Sequence, residues 1–150
     1  MSSTSRLRRV TLPIELLPID ESGFHLCVTV TINRKKCRLV LDTGASRTVF
    51  DQDEIKRFVK EGTTENGGRM SNGLGTDQMQ THSVLLKTFK LGRFTLENFE
   101  ALALDLAVLN ASYETLGHGK VIGVLGSDIL NAQQAVIDFG KKKLTLRYSE

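Results

Sequence analysis

The sequence predicts an all-β fold, and both its composition and its hydrophobic pattern support that prediction. The chain of 150 residues contains 13 glycines but only 2 prolines and no tryptophan, a balance typical of short strands joined by many turns. Apolar and polar residues alternate in several short segments, which is the pattern of strands that bury one face. The length and the 40% hydrophobic content suit one domain around one core.

The N-terminal segment is polar and basic, and we expect residues 1–9 to form a disordered tail before a single domain that spans residues 10–150. Order is expected to begin at residues 10–19, where apolar residues alternate around Pro13 and Pro18. Because proline cannot donate to a sheet ladder, this segment is predicted to be an edge strand.

A β-hairpin is predicted next. Residues 24–32 alternate cleanly between apolar and polar, the polar run 33–36 turns the chain, and residues 37–41 form a second apolar strand. Asp42 follows directly at the end of that strand.

A short helix over residues 52–60 is predicted beyond this hairpin. Asp51 and Glu54, three residues apart, have the form of a helix N-cap with its capping box. The apolar residues that follow recur at helical spacing.

Glycines are concentrated in residues 61–80, which predicts a mobile hairpin tip instead of a rigid element. They are Gly62, Gly67, Gly68, Gly73 and Gly75. Residues 83–99 return to strand-like sequence with a turn at residues 91–93. Residues 101–109 alternate in the same way, so we predict a strand there, although their alanines also favour a helix.

The last part of the chain begins with a predicted loop over residues 112–120. Residues 121–126 follow as an almost wholly apolar run, of the kind that is buried on both faces. Ser127 is placed to cap a short helix over residues 128–133. A closing hairpin is predicted over residues 135–148.

The charge pattern gives no indication of nucleic-acid binding. The net charge is +3, and much of the excess lies in two clusters without interleaved aromatic residues. These clusters are Arg6, Arg8 and Arg9 near the start and Lys141, Lys142 and Lys143 near the end. We interpret them as solvated residues, and an acidic partner is the alternative.

The two cysteines, Cys27 and Cys37, have neither CxxC spacing nor a histidine cluster beside them, so a zinc site lacks its ligands. We expect two free thiols in strands, with a disulfide between them as the alternative. No apolar run of signal-peptide or membrane-spanning length follows the basic N-terminus. We therefore expect a cytoplasmic protein that does not engage a membrane.

Two segments together indicate a specific chemistry. In the first, Asp42-Thr43-Gly44 follows an apolar strand, which alone would be interpreted as an ordinary turn. In the second, the late apolar run passes directly into a predicted helix. Together they resemble the retropepsin-like aspartic peptidases of the retroviral-protease type, in which hydrophobic-hydrophobic-Asp-Thr-Gly-Ala is followed, after a glycine-rich flap, by hydrophobic-hydrophobic-Gly and a helix. The resemblance covers residues 24–148, and residues 122–130 are most similar to single-domain bacterial members.

The resemblance implies an acid-protease fold, a closed barrel with one or two short helices and a glycine-rich flap hairpin. It makes Asp42 the catalytic carboxylate of an aspartic endopeptidase. Thr43 would lock the two active-site loops together across a dimer. Gly44 would let the backbone approach its partner and the substrate.

Substrate contacts also follow from the resemblance. An extended peptide would lie as an added strand between the flap and the floor of the site. The floor would include Ala45 and Val124, and the flap tip would be Gly73-Leu74-Gly75. A surface loop without ligand contact is the alternative for that tip.

The sequence departs from the retroviral pattern at one pair of positions. Retroviral members have an arginine after the glycine that corresponds to Gly126, paired with an aspartate four residues after the catalytic one. Here the two positions hold Ser127 and Ser46. Because both partners change together, the ion pair is replaced rather than broken.

The chemistry itself argues for a homodimer. Peptide hydrolysis by carboxylates needs one ionised group to take a proton from water and one protonated group to polarise the carbonyl. Asp42 cannot do both, and the sequence contains no second motif of this type, so the second carboxylate is expected from a symmetric partner subunit. No metal or organic cofactor is required.

Ala45 bears on the pH dependence. A hydroxyl at this position would hydrogen-bond to the carboxylates and stabilise their ionised form, and alanine cannot do so. We therefore expect optimum activity at mildly acidic pH.

Two other classes of function are alternatives to an endopeptidase. A non-catalytic module with the same fold that binds a peptide or protein segment is the main alternative, because the sequence does not establish that a productive pair of carboxylates forms. A nucleotide-binding protein is disfavoured, because Gly117-His118-Gly119-Lys120 lacks the GxxxxGK[ST] spacing that cradles phosphates.

Overall fold

Strands account for most of this computed structural model, which describes residues 6–59, 64–70 and 80–150. Strands predominate over helices in these described residues, which confirms the predicted all-β class. The strands are β1 Leu7–Pro13, β2 Glu15–Pro18, β3 Phe24–Ile32, β4 Lys35–Leu41, β5 Val49–Asp51, β6 Thr64–Met70, β7 Gln80–Leu91, β8 Phe94–Leu104, β9 Gly123–Leu125, β10 Val136–Asp138 and β11 Lys143–Ser149.

Short helices accompany the strands in the described residues. They are a 3₁₀ helix at Glu54–Arg57, α1 at Ala107–Thr115 and α2 at Ser127–Ala132. None of the helices in this part of the chain is long and apolar enough to cross a membrane.

Six strands close into a barrel. Their order around it is β3, β4, β9, β5, β8 and β7, and β7 returns to β3 through pairs such as Thr31–Lys90. The larger of two hydrophobic cores is built on these strands, with Leu39, Phe50 and Phe89 fully buried. The closed barrel-like fold expected from the sequence is therefore confirmed.

The first predicted hairpin is confirmed by the antiparallel pairing of β3 with β4. Its turn residues Asn33 and Arg34 have φ values of 47° and 73°, the left-handed conformation of tight hairpin turns. The Asn33 side chain donates to the carbonyl oxygen of Phe58 at 2.8 Å and accepts from the N–H of Thr88 at 3.1 Å. These contacts fix the hairpin whose second strand leads to Asp42.

Regular structure begins earlier than predicted. β1 starts at Leu7, inside the segment 1–9 expected to be a tail, because it pairs with β11 as far as Ser149. The single strand predicted over residues 10–19 is divided between β1 and β2, which are edge strands of two different sheets. The closing hairpin is confirmed by the pairing of β10 with β11.

The helix predicted over residues 52–60 was wrong in type and length, because only a 3₁₀ turn forms. The N-cap residue is Asp53, which makes no side-chain cap bond, so the N-cap predicted at Asp51 was wrong in position. Oδ2 of Asp51 nevertheless accepts from the N–H groups of Asp53 at 3.2 Å and Glu54 at 2.9 Å. The reciprocal half of the capping box is missing. The Glu54 carboxylate lies 3.2 Å from Nζ of Lys120 instead, and the N–H of Asp51 donates to the backbone next to β9.

The strand predicted over residues 101–109 and the loop predicted over 112–120 were each wrong in part. β8 ends inside the first range, and α1 occupies part of both. Two carboxylates bind the backbone where β8 gives way to α1. Oδ1 of Asp51 accepts from the N–H of Leu106 at 2.8 Å, and Oδ1 of Asp105 accepts from the first N–H of α1 at 2.9 Å. These bonds satisfy backbone donors that no strand partner reaches.

The two cysteines are free thiols on opposite faces of the β3–β4 hairpin. Cys27 lies opposite Val40 and Cys37 opposite Val30, and positions 27 and 30 differ by an odd number, so their side chains point to opposite faces. Burial raises the pKa of Cys27 to about 11 and that of Cys37 to about 12. The disulfide alternative is therefore wrong.

Candidate active site

The strands that carry the two sequence segments lie side by side. β4 pairs in parallel with β9, in a register that ends with Leu41 beside Leu125. The N–H of Asp42 then donates to the carbonyl oxygen of Leu125 at 3.1 Å. The fold thus brings the Asp-Thr-Gly segment and the late apolar segment into direct contact.

Asp42 begins a tight turn with its side chain exposed. The N–H of Gly44 donates to Oδ1 of Asp42 at 2.9 Å, and the N–H of Ala45 donates to the Asp42 carbonyl at 3.2 Å. A Cβ on residue 44 would lie 3.3 Å from the same Oδ1, so glycine leaves room beside the carboxylate. Thr43 is also exposed and makes no side-chain hydrogen bond to another described residue. The carboxylate is thus anchored through one oxygen and open to solvent.

A second set of contacts joins the loop after Asp42 to the start of α2. Both carboxylate oxygens of Asp128 lie 3.0 Å from the backbone nitrogen of Thr48, and Oδ1 also accepts from the Thr48 hydroxyl at 2.8 Å. That hydroxyl oxygen accepts from the N–H of Gly126 at 3.0 Å. We call this set the Thr48–Asp128 clamp. The sequence did not reveal it; the one available signal was an aspartate two residues after Gly126.

Backbone atoms of the loop after Asp42 and of the segment before α2 are in close contact. A Cβ on Gly126 would lie 2.6 Å from the carbonyl carbon and oxygen of Arg47. The N–H of Ser127 donates to the carbonyl oxygen of Ala45 at 2.7 Å. Ser127 is the first residue of α2 and makes no side-chain cap, so its predicted capping role was wrong. The exposed side chain of Ser46 plays no part in joining the two segments.

A small second core supports the site. It contains Val40 and Val124 from the paired strands, Cys27, and Tyr113 from α1, and Ala45 packs against it. Val124 is only 8% exposed, so this predicted floor residue mainly faces the core, whereas Ala45 is half-buried.

Tyr113 is a neighbour of the site that the sequence did not indicate, because its segment was predicted to be a loop. Its hydroxyl lies 2.6 Å from Nδ1 of His25. Burial raises the pKa of Tyr113, and the charges of Cys27 and Asp42 raise it further. Tyr113 is thus a buried phenol in the second core, against which Ala45 packs.

β6 and β7 form an antiparallel hairpin in the region where the glycine-rich hairpin was predicted. Gly73, Leu74 and Gly75 lie outside the described residues, so their place at a flap tip stays a prediction. Across the described ranges, no group of three His, Cys, Asp or Glu side chains is arranged to hold a metal ion.

The fold and this arrangement define the retropepsin-like class of aspartic protease, and comparison with known proteins agrees. The chain belongs to the aspartyl protease family, whose model matches residues 28–129. No curated protein sequence matches the chain.

Solved structures of low sequence identity share the fold. A retropepsin-like aspartic protease from Rickettsia conorii aligns with a TM-score of 0.58 at 17% identity, over 99% of this chain and 98% of that chain. The retroviral protease-like domain of Ddi1 from Leishmania major aligns with a TM-score of 0.52 at 16% identity, over 81% and 87% of the two chains. EIAV protease in complex with the inhibitor HBY-793 aligns with a TM-score of 0.54 at 20% identity, over 82% and 100%.

Proposed function

We propose that this protein is an aspartic endopeptidase that hydrolyses peptide bonds with a water molecule held between two Asp42 carboxylates, one from each subunit of a homodimer. The observation that supports this most directly is the exposed Asp42 carboxylate, anchored beside β9 by the N–H of Gly44 at 2.9 Å. A carboxylate held through one oxygen keeps the other available for water or substrate. Family membership and fold are consistent with this role.

The need for a second carboxylate supports the dimer. Asp128 lies at the start of α2, next to the loop that follows Asp42. It already accepts bonds from Thr48 with both of its oxygens. Two carboxyl groups that share one proton supply both a base and an acid, because adjacent negative charges disfavour ionisation of both. A two-fold axis brings the same residue of both chains together. Exposed Thr43 would then be placed to contact the partner subunit.

The reaction then follows from the shared proton. The ionised Asp42 of one subunit takes a proton from water as the oxygen attacks the scissile carbonyl carbon, and the protonated Asp42 of the partner subunit donates its proton to the carbonyl oxygen. The result is a tetrahedral diol. On collapse the C–N bond breaks, the first carboxyl protonates the leaving nitrogen, and a diol hydroxyl returns a proton to the second. The pair ends with one proton, as it began.

The substrate in this proposal is an extended peptide that runs as an added strand between the β6–β7 hairpin and the floor of the site. Side chains of such a strand enter pockets alternately on the two sides. Half-buried Ala45, supported by the apolar second core, would favour apolar side chains next to the scissile bond.

A peptide library incubated from about pH 4 to 7 tests the proposal, with products identified by mass spectrometry. We expect cleavage that pepstatin inhibits and that Asp42→Ala abolishes. Asp20→Ala is the matched control, because Asp20 is also exposed and its Oδ1 accepts a turn N–H, from Ser22 at 3.0 Å. It should cleave like the wild type.

Cleavage that persists in Asp42→Ala would refute the assignment of Asp42 as the base that takes a proton from the attacking water. A wild-type chain that is dimeric by mass yet cleaves no peptide would instead favour the alternative function, a module of the same fold that binds a peptide or protein segment without hydrolysing it.

A further inference from the structure

We infer that Asp128 and Thr48 are positioning residues of the active site, whose clamp fixes the turn that carries Asp42. The inference rests on the proposed function and adds the residues that set the geometry of the carboxylate pair.

The clamp is a fully engaged set of hydrogen bonds. Besides its bonds to Thr48, Asp128 accepts from the N–H of Ile129 at 2.8 Å. Thr48 is 2% exposed, so water does not compete for its donors. Hydrogen bonds to an ionised carboxylate are stronger than neutral ones, and their loss would leave buried donors without partners.

The clamp lies at one end of the segment that carries Asp42. At the other end, the N–H of Asp42 bonds to Leu125, and in between the N–H of Ser127 bonds to Ala45. Segment 42–48 is thus held against segment 125–128 at both ends. Of these bridges, only the clamp uses side chains, so it is the one that substitution can remove.

In a symmetric dimer, the position of Asp42 affects the separation of the two carboxylates through both subunits. Any displacement of the turn in one subunit is repeated in the other, so the separation of the two carboxylates changes by the combined shift. Misplacement of reacting groups by about 1 Å costs on the order of 100-fold in rate. The clamp therefore controls the rate without touching the substrate.

Single-atom substitutions isolate this role. Asp128→Asn keeps the shape but places an amide N–H₂ where one oxygen accepts from Thr48. Thr48→Val keeps the volume but leaves the N–H of Gly126 without its acceptor, whereas Thr48→Ser retains the hydroxyl. Asp138→Asn is the control, since Oδ1 of Asp138 accepts a backbone N–H at 2.9 Å in the closing hairpin, which belongs to the separate three-stranded sheet.

The test measures kcat and KM per active site, with sites counted by pepstatin titration well below the unfolding temperature. We expect Asp128→Asn and Thr48→Val to lower kcat by about 10- to 100-fold, with KM changed less than about threefold. Thr48→Ser and Asp138→Asn should stay within about threefold of the wild type in both constants. Unchanged kcat per titrated site in Asp128→Asn, together with a lowered unfolding temperature, would overturn the inference, because the clamp would then only stabilise the fold.

Amide hydrogen exchange gives a readout that does not need catalysis. In Asp128→Asn the N–H groups of Asp42 and Ser127 should exchange at least about tenfold faster than in the wild type, and in Asp138→Asn they should not. If the wild type cleaves no peptide, the proposed function fails and this comparison alone decides the positioning role. Unchanged exchange at Asp42 would then reject it.

Discussion

The carbonyl oxygen of Val49 occupies the space in which residue 123 would carry a side chain. A Cβ on Gly123 would overlap that oxygen and lie 3.0 Å from Cα of Phe50. Both obstacles are backbone atoms of β5, so they cannot rotate away. The close approach of β5 and β9 therefore depends on glycine at this position.

We expect Gly123→Ala to destabilise the fold by at least about 1–3 kcal/mol, the range for overfilled cores, because β5 and β9 must move apart. Urea unfolding followed by circular dichroism measures the change. Gly140→Ala is the control, since its Cβ would meet only Oδ1 of Asp138, at an ordinary 3.4 Å. Equal midpoints for the two variants would show that the β5–β9 contact is not tight.

Arg38 holds the loop between α1 and β9. Its Nη2 donates to the carbonyl oxygens of His118 and Lys120, the latter at 3.2 Å, and its Nη1 lies 3.3 Å from the Glu15 carboxylate. Arg38→Lys cannot keep this fork of donors, and we expect a loss of about 1.5 kcal/mol or more. Glu15→Gln should change stability by less than about 1 kcal/mol, because the ion pair is exposed. Thermal unfolding of both variants checks the ranking, and a larger effect for Glu15→Gln would reverse it.

The thiols make stability fall at alkaline pH. Burial raises the pKa of Cys27 to about 11 and of Cys37 to about 12, from 9.0. Above pH 9.0 the unfolded chain therefore releases protons that the folded chain retains, so the free energy of unfolding decreases as pH rises and the contribution is intact below that pH.

Unfolding curves at several pH values test this sign. Cys37→Ala should lose less stability than the wild type between about pH 8.5 and 10.5, whatever its stability at neutral pH. A thiol reagent should also react slowly with the folded protein and rapidly in urea. Equal reaction rates in both states would contradict the burial of the thiols.

Ala45→Ser is expected to move the optimum of peptide cleavage to lower pH, by on the order of half a unit, because a hydroxyl next to the carboxylate pair stabilises its ionised form. The pH profile of kcat/KM measures the shift. Ser46→Ala, at an exposed neighbouring position, should leave the profile unchanged. A profile that moves in the opposite direction would show that the serine hydroxyl does not donate to the carboxylates.

Local patterns predicted the strands well, because alternation reports burial of one face directly. They failed after β8, where the alternation of Leu102 and Leu104 continues through Leu106 into α1. What ends the strand is a hydrogen bond from Leu106 to Asp51, 55 residues away in the chain. No local pattern contains that information.

The candidate site divides in the same way. Asp42 and the late apolar segment were found because each has a recognisable local sequence. The clamp was missed because Thr48 and Asp128 are 80 residues apart and each is ordinary in its own surroundings. They meet because β9 pairs in parallel with β4 and also pairs with β5, which begins directly after Thr48.

The parallel pairing of β4 with β9 also decides when the turn that carries Asp42 can form during synthesis. Asp42 leaves the ribosome long before Leu125, whose carbonyl oxygen receives the Asp42 N–H. Contacts of such large sequence separation form late in folding. The nascent chain therefore contains Asp42 before it contains β9, the strand that accepts the Asp42 N–H. Asp42 can reach its place in the fold only after nearly all of the described residues have been translated.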